Sequence, residues 1–479
     1  LPMNVGVTGI HAVLFHTGEV LLWEEPHGRP GSRAKLFDPA RQRVTDVTVP
    51  YRRDAYCSGT SVMPDGRLLV AGGVVPGTTA APRAVDVFDP VTRTWTRAEQ
   101  LAAARYYPSL VAMPDGTTLV LSGSHTVFGE DTVDTLESYA PAEGTWATLP
   151  DSANIASDLY PRTLVLSDGR VVRAGPEART KVFDPATNTW SAVATMRQGN
   201  RYEGVAVLLP GLSKVLTSGG SREEGPGPLI RPTASAEVID FARPDPSWDR
   251  TGSMHRARLY HEMVLLADGT VLAVGGAGIG LLYAGAVQEA ELYDPATGRW
   301  KLMARQVAPR PYHSTALLLP DGRVLSAGSD FGPLATTVEL YSPPYLFKGP
   351  RPTITSAPAS LRYGRPFRIR TRSSEAISRI ALIRPGAVTH SVDFDQRYVD
   401  LRFRQGTEDL TARAPGSANL APPGWYMLVV VDRRGVPSVA TFVHLNSCAR
   451  CFESAQRRPR QELIRTHTYR SKSTISTGW

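Results

Sequence analysis

Cysteine is scarce in this chain. Three in 479 residues exclude a disulfide-stapled scaffold. Lysine is scarcer than its charge partners: six stand beside 47 arginines. No run of 18 or more apolar residues occurs, which excludes a helical membrane span. The first residues, Leu1-Pro2-Met3-Asn4, carry neither a basic region nor an apolar stretch, so no targeting segment is visible. The net charge of +8 is concentrated at one end: residues 447–479 hold seven basic and two acidic side chains. The body is close to neutral, and nucleic acid is not an expected partner. The length suggests two to four domains, with enough apolar residues for several cores.

A repeat is present instead. An apolar strand, an Asp-Gly turn, a second apolar strand and then Gly-Gly or a variant recur around Asp65-Gly66, Asp115-Gly116, Asp168-Gly169, Asp268-Gly269 and Asp321-Gly322. Weaker copies centre on Thr17-Gly18 and Pro210-Gly211. The seven turns are spaced by about 51 residues, close to the roughly 50-residue kelch period. Each unit has a second half in which an aromatic, an Asp-Pro turn and a Trp follow one another, as in Phe88-Asp89-Pro90 with Trp95 or Tyr293-Asp294-Pro295 with Trp300. Such a unit reads as a four-stranded antiparallel sheet. Single sheets of this kind bury both faces only when packed radially. The expected fold is all-β: a seven-bladed kelch-type β-propeller over residues 1–347, then an immunoglobulin-like β-sandwich over 353–446. Residues 447–479 read as a basic, disordered tail. Within it Cys448 and Cys451 lack the βαβ context of a redox motif and the further ligands of a zinc site.

Chemistry-bearing residues recur at one phase of the repeat. Cys57, Tyr107, Tyr260 and His313 each stand nine positions before the glycine of an Asp-Gly turn. Equal phase in a propeller means equal height, so these side chains are expected to cluster on the axis if their strands are innermost. Tyr260-His261 and Tyr312-His313 are matching dipeptides, and His390 lies in the second domain. Imidazoles and phenolates suit copper(II) or iron. Taken singly, each residue also reads as core: a buried cysteine is a small hydrophobe, and an inner-strand Tyr or His packs or hydrogen-bonds.

The segments Tyr56-Cys57-Ser-Gly-Thr, Ala104-Arg-Tyr-Tyr107-Pro-Ser, Arg310-Pro-Tyr312-His313-Ser and Thr389-His390-Ser-Val-Asp-Phe-Asp-Gln396-Arg397 occur together and in this order. With them the chain, from residue 1 to about 446, resembles the galactose oxidase/glyoxal oxidase family of copper radical oxidases. The resemblance implies a copper ion held by Tyr107, Tyr312, His313 and His390. It implies a thioether between Tyr107 and Cys57 that forms the redox-active tyrosyl radical cofactor, with Tyr312 as general base. It implies two-electron oxidation of small aldehydes (as gem-diols) or primary alcohols, with O2 reduced to H2O2, and a secreted or cell-surface location. His125 stands where sugar oxidases of the family place a Trp over the cofactor, and Pro161 stands where they place a substrate-gripping Arg after Tyr160. Tyr160-Pro161 resembles the glyoxal oxidase branch, which favours small aldehydes or alcohols over galactose. Tyr160, His125, Tyr260 and His261 are expected to line or support the site. The alternative is a non-catalytic kelch propeller binding a protein or glycan partner, which has no reason to keep the Cys57/Tyr107/Tyr312/His313/His390 set together.

Overall fold

The computed structural model describes residues 2–446 apart from 27–30, 48, 50–53, 128, 130, 225–229, 280–284, 331, 373–375 and 407–408. The expected tail, with Cys448 and Cys451, lies outside the described residues.

Asp-Gly turns build the hairpins as the sequence requires. Asp65 Oδ1 accepts the Arg67 amide at 3.0 Å, and Gly66 takes the left-handed conformation (φ 92°) that a side chain resists. The same turn recurs at Asp115, Asp168, Asp268 and Asp321. In the outer hairpins the aromatic and the Trp face each other across the ladder: Phe88 opposite Trp95, Phe183 opposite Trp190, Tyr293 opposite Trp300. Their ring centroids are 4.9–5.2 Å apart. Direct cross-strand aromatic pairs of this kind stabilise a sheet. Among the described residues these hairpins join into seven four-stranded units, one per repeat.

The first strands of the units are Asp54–Val62, Ser109–Ala112, Thr163–Val165, Val205–Leu208, Glu262–Leu265 and Ser314–Leu318, together with His11–Leu14. Most first strands of successive units contact one another, which makes them the inner ring of a seven-bladed propeller. The ring closes through the N-terminus: Met3–Asn4 adds the fourth strand of the last blade, pairing Met3 with Val338 and Asn4 with Thr337.

Four blades carry a device that the repeat reading did not single out. Arg105, Arg201, Arg258 and Arg310 are fully buried at the entry to an inner strand. Each donates to the backbone carbonyl of Ser122, Gly219, Gly275 or Gly328 at the end of its second strand. Each also reaches a carboxylate on the third strand: Glu137 at 2.8 Å, Glu237 at 2.7 Å, Glu291 at 2.7 Å and Glu339 at 3.7 Å. The clamp ties three strands at their axial ends. Removing one partner leaves a buried charge uncompensated, at about 3–5 kcal/mol. Arg201→Ala is therefore expected to lower the melting temperature by several degrees. An unchanged melting curve would count against the clamp.

The second domain is a sandwich of two sheets. One contains Ile354–Ser356, Pro366–Thr371, Phe403–Gln405 and Asp409–Arg413. The other contains Ser360–Leu361, Ile377–Ile383, Tyr398–Asp400, Gly424–Asp432 and Thr441–Leu445. Between Ile383 and Tyr398 the chain leaves the sandwich. The hairpin Ala387–Thr389/Val392–Asp393 pairs with the innermost strand of the first blade, His11 opposite Thr389. Its base is locked to three further blades. Asp395 accepts the Val62 amide at 2.6 Å, Gln396 accepts the Leu208 amide at 2.8 Å, and Arg397 donates to the Val165 carbonyl. That is the physical content of the Thr389–Arg397 segment: it fixes the height and direction of the hairpin tip, where His390 stands.

Candidate active site

Left-handed backbone marks the site. Cys57, Tyr107, Tyr160, Glu203, Tyr260 and His313 have φ between 44° and 60°, each just before or within the inner strand of a different blade. A non-glycine residue there costs on the order of 1–3 kcal/mol and persists only where the surroundings impose it. They are imposed by bonds between blades. Tyr107 N–H donates to the Cys57 carbonyl at 3.0 Å, Tyr160 N–H to the Tyr107 carbonyl at 2.9 Å, and Tyr260 N–H to the Glu203 carbonyl at 2.9 Å. Where the chain of amide bonds breaks, the buried Arg162 bridges it, donating to the carbonyls of Tyr160 (2.9 Å) and Gly204 (3.0 Å). The left-handed turn swings each side chain toward the axis.

The side chains converge. The Tyr107 and Tyr312 hydroxyls are 2.9 Å apart. His313 and His390 face each other edge to face, with centroids 4.6 Å apart. Tyr107 lies 4.7 Å from His390, and Tyr312 stacks on His313 at 3.8 Å. The buried Cys57 packs with Tyr56, Tyr106 and Tyr107, with its sulfur 3.8 Å from His390 Nε2. Cys57 N–H donates to His11 Nε2 at 3.2 Å, and His11 stacks on Trp23 at 4.4 Å.

Hydrogen bonds assign both imidazole tautomers. Thr389 Oγ1 donates to the Ile10 carbonyl, so it accepts from His390 Nδ1–H at 2.6 Å. His313 Nδ1–H donates to Asp330 Oδ2 at 2.8 Å. Both Nε2 atoms face the centre as acceptors, the arrangement that metal-binding imidazoles require. Burial, then the neighbouring His313 and His11, pushes the His390 pKa down and keeps its ring neutral. Burial and the nearby ionisable groups push Tyr107 and Tyr312 well up from the usual phenol value. Among the described residues no cluster of three or more His, Cys, Asp or Glu forms a metal site. The donors here are two imidazoles and two phenols, a mixed nitrogen/oxygen set that suits copper(II).

Tyr107 is covered on both faces: Tyr106 stacks at 4.1 Å and 14°, and Tyr160 at 4.4 Å and 22°. The Tyr160 hydroxyl donates to the Ser58 carbonyl at 2.8 Å. His125, expected near the cofactor, is instead exposed on a loop outside the cavity. The ring faces that a residue at 125 would cover are already taken by phenols. Tyr260 lines the cavity and packs edge-on against Tyr312 at 4.6 Å. His261 points away from it, fully buried, with Nε2 3.0 Å from Ser218 Oγ.

Three groups at the site were not singled out from the sequence. Glu203 stands eight positions before Gly211 in the fifth blade, one off the nine-residue phase, and that turn is degenerate and the residue is not aromatic. Tyr56 lies beside Cys57, and Asp330 follows the last blade's second strand. The cavity above the donors has a volume of about 440 Å³. It is acidic: Glu25, Asp158, Glu203, Glu224 and Asp330 stand against one guanidinium, Arg162. Burial and the neighbouring Glu177 and Glu224 push the Asp158 carboxyl up to about 6.

Comparison with known proteins agrees with this geometry. Residues 32–345 match the family model "Glyoxal oxidase N-terminus", and residues 351–445 match "Galactose oxidase-like, Early set domain". The chain belongs to the galactose oxidase/glyoxal oxidase family. It is 29% identical to a galactose oxidase of Gibberella zeae over 473 residues, covering 90% of this chain and 67% of that one. It is 27% identical to the aldehyde oxidase GLOX of Vitis pseudoreticulata over 514 residues, covering 92% and 95%. A solved fungal alcohol oxidase of the AA5 family, in complex with copper, superposes with a TM-score of 0.82 at 25% identity, covering 93% of this chain and 99% of that one. Membership makes this galactose oxidase/glyoxal oxidase homologue an oxidoreductase of the copper radical class.

Proposed function

We propose that the protein oxidises small aldehydes, as their gem-diols, or small primary alcohols, and passes the two electrons to O2. An alcohol R–CH2OH and O2 give R–CHO and H2O2; a gem-diol gives the carboxylic acid. The observation that carries this reading is the convergence of two imidazole Nε2 atoms, two phenols and one thiol from four separate segments on one point. Tyr107, Tyr312, His313 and His390 are the residues that would hold copper. Bound there, copper supplies a Lewis acid and one of the two electron-accepting centres.

The remaining steps fall to the chain itself. As the phenolate it would be when holding copper, Tyr312 takes the hydroxyl proton of the substrate, with its oxygen 2.9 Å from that of Tyr107. Tyr107, joined to Cys57, stores the second oxidising equivalent and takes the hydrogen from carbon. Tyr106 and Tyr160 cover both of its faces and exclude water. Arg162 is committed to backbone carbonyls, which favours small substrates over a sugar that needs a free guanidinium. Among the described residues no helix is long and apolar enough to cross a membrane, and peroxide release suits a secreted or surface-attached protein.

The test is copper loading followed by peroxide detection with glycolaldehyde, methylglyoxal and galactose. One copper per chain and peroxide from the aldehydes above that from galactose are expected. No retained copper and no peroxide from any substrate would favour the binding propeller.

A further inference from the structure

Tyr56 is the one phenol at the centre to which no role has been given. Neighbours in a strand normally point to opposite faces, so Tyr56 and Cys57 would not both face one site. A register shift between Asp54 and Ser58, with Cys57 left-handed, breaks that alternation and brings both inward. The Tyr56 amide is held by Asp54 Oδ1 at 3.1 Å. Its ring stands edge-on to His313, centroids 5.4 Å apart at 88°, and lines the cavity. Its hydroxyl donates to His313 Nε2 at 3.2 Å.

That nitrogen can serve the hydroxyl or an ion, but not both, because Nδ1 is committed to Asp330. When Nε2 turns to an ion, the Tyr56 O–H needs another acceptor. A half-buried hydroxyl left without one is costly, so it will take an acceptor that enters beside the ion. We propose that Tyr56 is a substrate-contacting residue that donates a hydrogen bond to a substrate oxygen entering the cavity beside His313. The class of ligand it favours is a small anion or anion-like oxygen: an alkoxide, a deprotonated gem-diol or a hydroperoxide. This rests on the copper reading above and adds a group that selects what binds beside the ion.

The experiment uses azide, a small anion, titrated optically into the copper-loaded full chain. Tyr56→Phe keeps the ring and removes only the donor. It is expected to retain copper and the wild-type melting curve, while the azide Kd rises about five- to tenfold, the worth of one hydrogen bond. KM for glycolaldehyde should rise in step, with a smaller change in kcat. Tyr56→Leu removes the ring as well and separates packing from donation. If the Phe variant binds azide like wild type and only the Leu variant is weakened, Tyr56 is a packing residue and the inference is overturned. If the wild-type chain retains no copper, the reading beneath it falls too, so the two failures are distinguishable.

Discussion

Cys57→Ser is expected to lower kcat/KM by about a thousandfold, or roughly 4 kcal/mol in the transition state, while copper stays bound. Cys57 packs in one cluster with Tyr107, and the expected link is a bond from its sulfur to the ring carbon beside the hydroxyl. Forming that thioether removes one hydrogen from sulfur and one from the ring, with O2 as the oxidant. Serine fits the space and keeps the amide bond to His11, but oxygen cannot provide the sulfur lone pair that delocalises a radical on Tyr107. The wild-type chain should therefore weigh two hydrogens less than its sequence after copper loading, and the serine variant should not. A variant with full turnover, or a wild type at its sequence mass, would refute the assignment of Cys57.

Tyr312→Phe is expected to lower kcat by roughly a hundredfold to ten-thousandfold with little change in KM, the range for loss of a general base. The phenylalanine keeps the stack on His313 and the edge contact with Tyr260, so the cavity should hold its shape. What goes is the oxygen 2.9 Å from the Tyr107 hydroxyl and with it the proton's destination. Measurement of kcat, KM and copper content on one preparation separates the outcomes. A rise in KM alone would make Tyr312 a binding group instead.

The two variants probe different kinds of inference. Cys57, Tyr107, Tyr260 and His313 were readable because a propeller turns one-dimensional period into three-dimensional height. Four residues at one phase had to meet if the inner strands carried them. Glu203 shares the left-handed backbone, but its blade lacks the Asp-Gly marker and its spacing to Gly211 is one residue short, so the period was blurred where it sits. Tyr56 was invisible for a different reason: strand alternation predicts that it faces away from Cys57, and only a bulge overturns that. Position 125 misled because sequence alignment alone does not say which way its side chain faces. Tyr106 and Tyr160 stack on Tyr107, and the loop carries His125 into solvent.

The order and spacing of turns, aromatics and ligand-type residues were determined by local chemistry: Asp-Gly geometry, cross-strand aromatic pairs and the two-residue strand period. These needed no partner beyond neighbouring residues, so the linear chain was enough to specify seven blades and a sandwich. The tertiary structure alone decided which imidazole nitrogens are free, which phenols flank Tyr107 and where the acids gather. Those depend on bonds between segments hundreds of residues apart, such as Thr389 to Ile10 and Tyr56 to His313. Such contacts exist only after the ring has closed on Met3–Asn4 and the hairpin carrying His390 has been seated against the first blade.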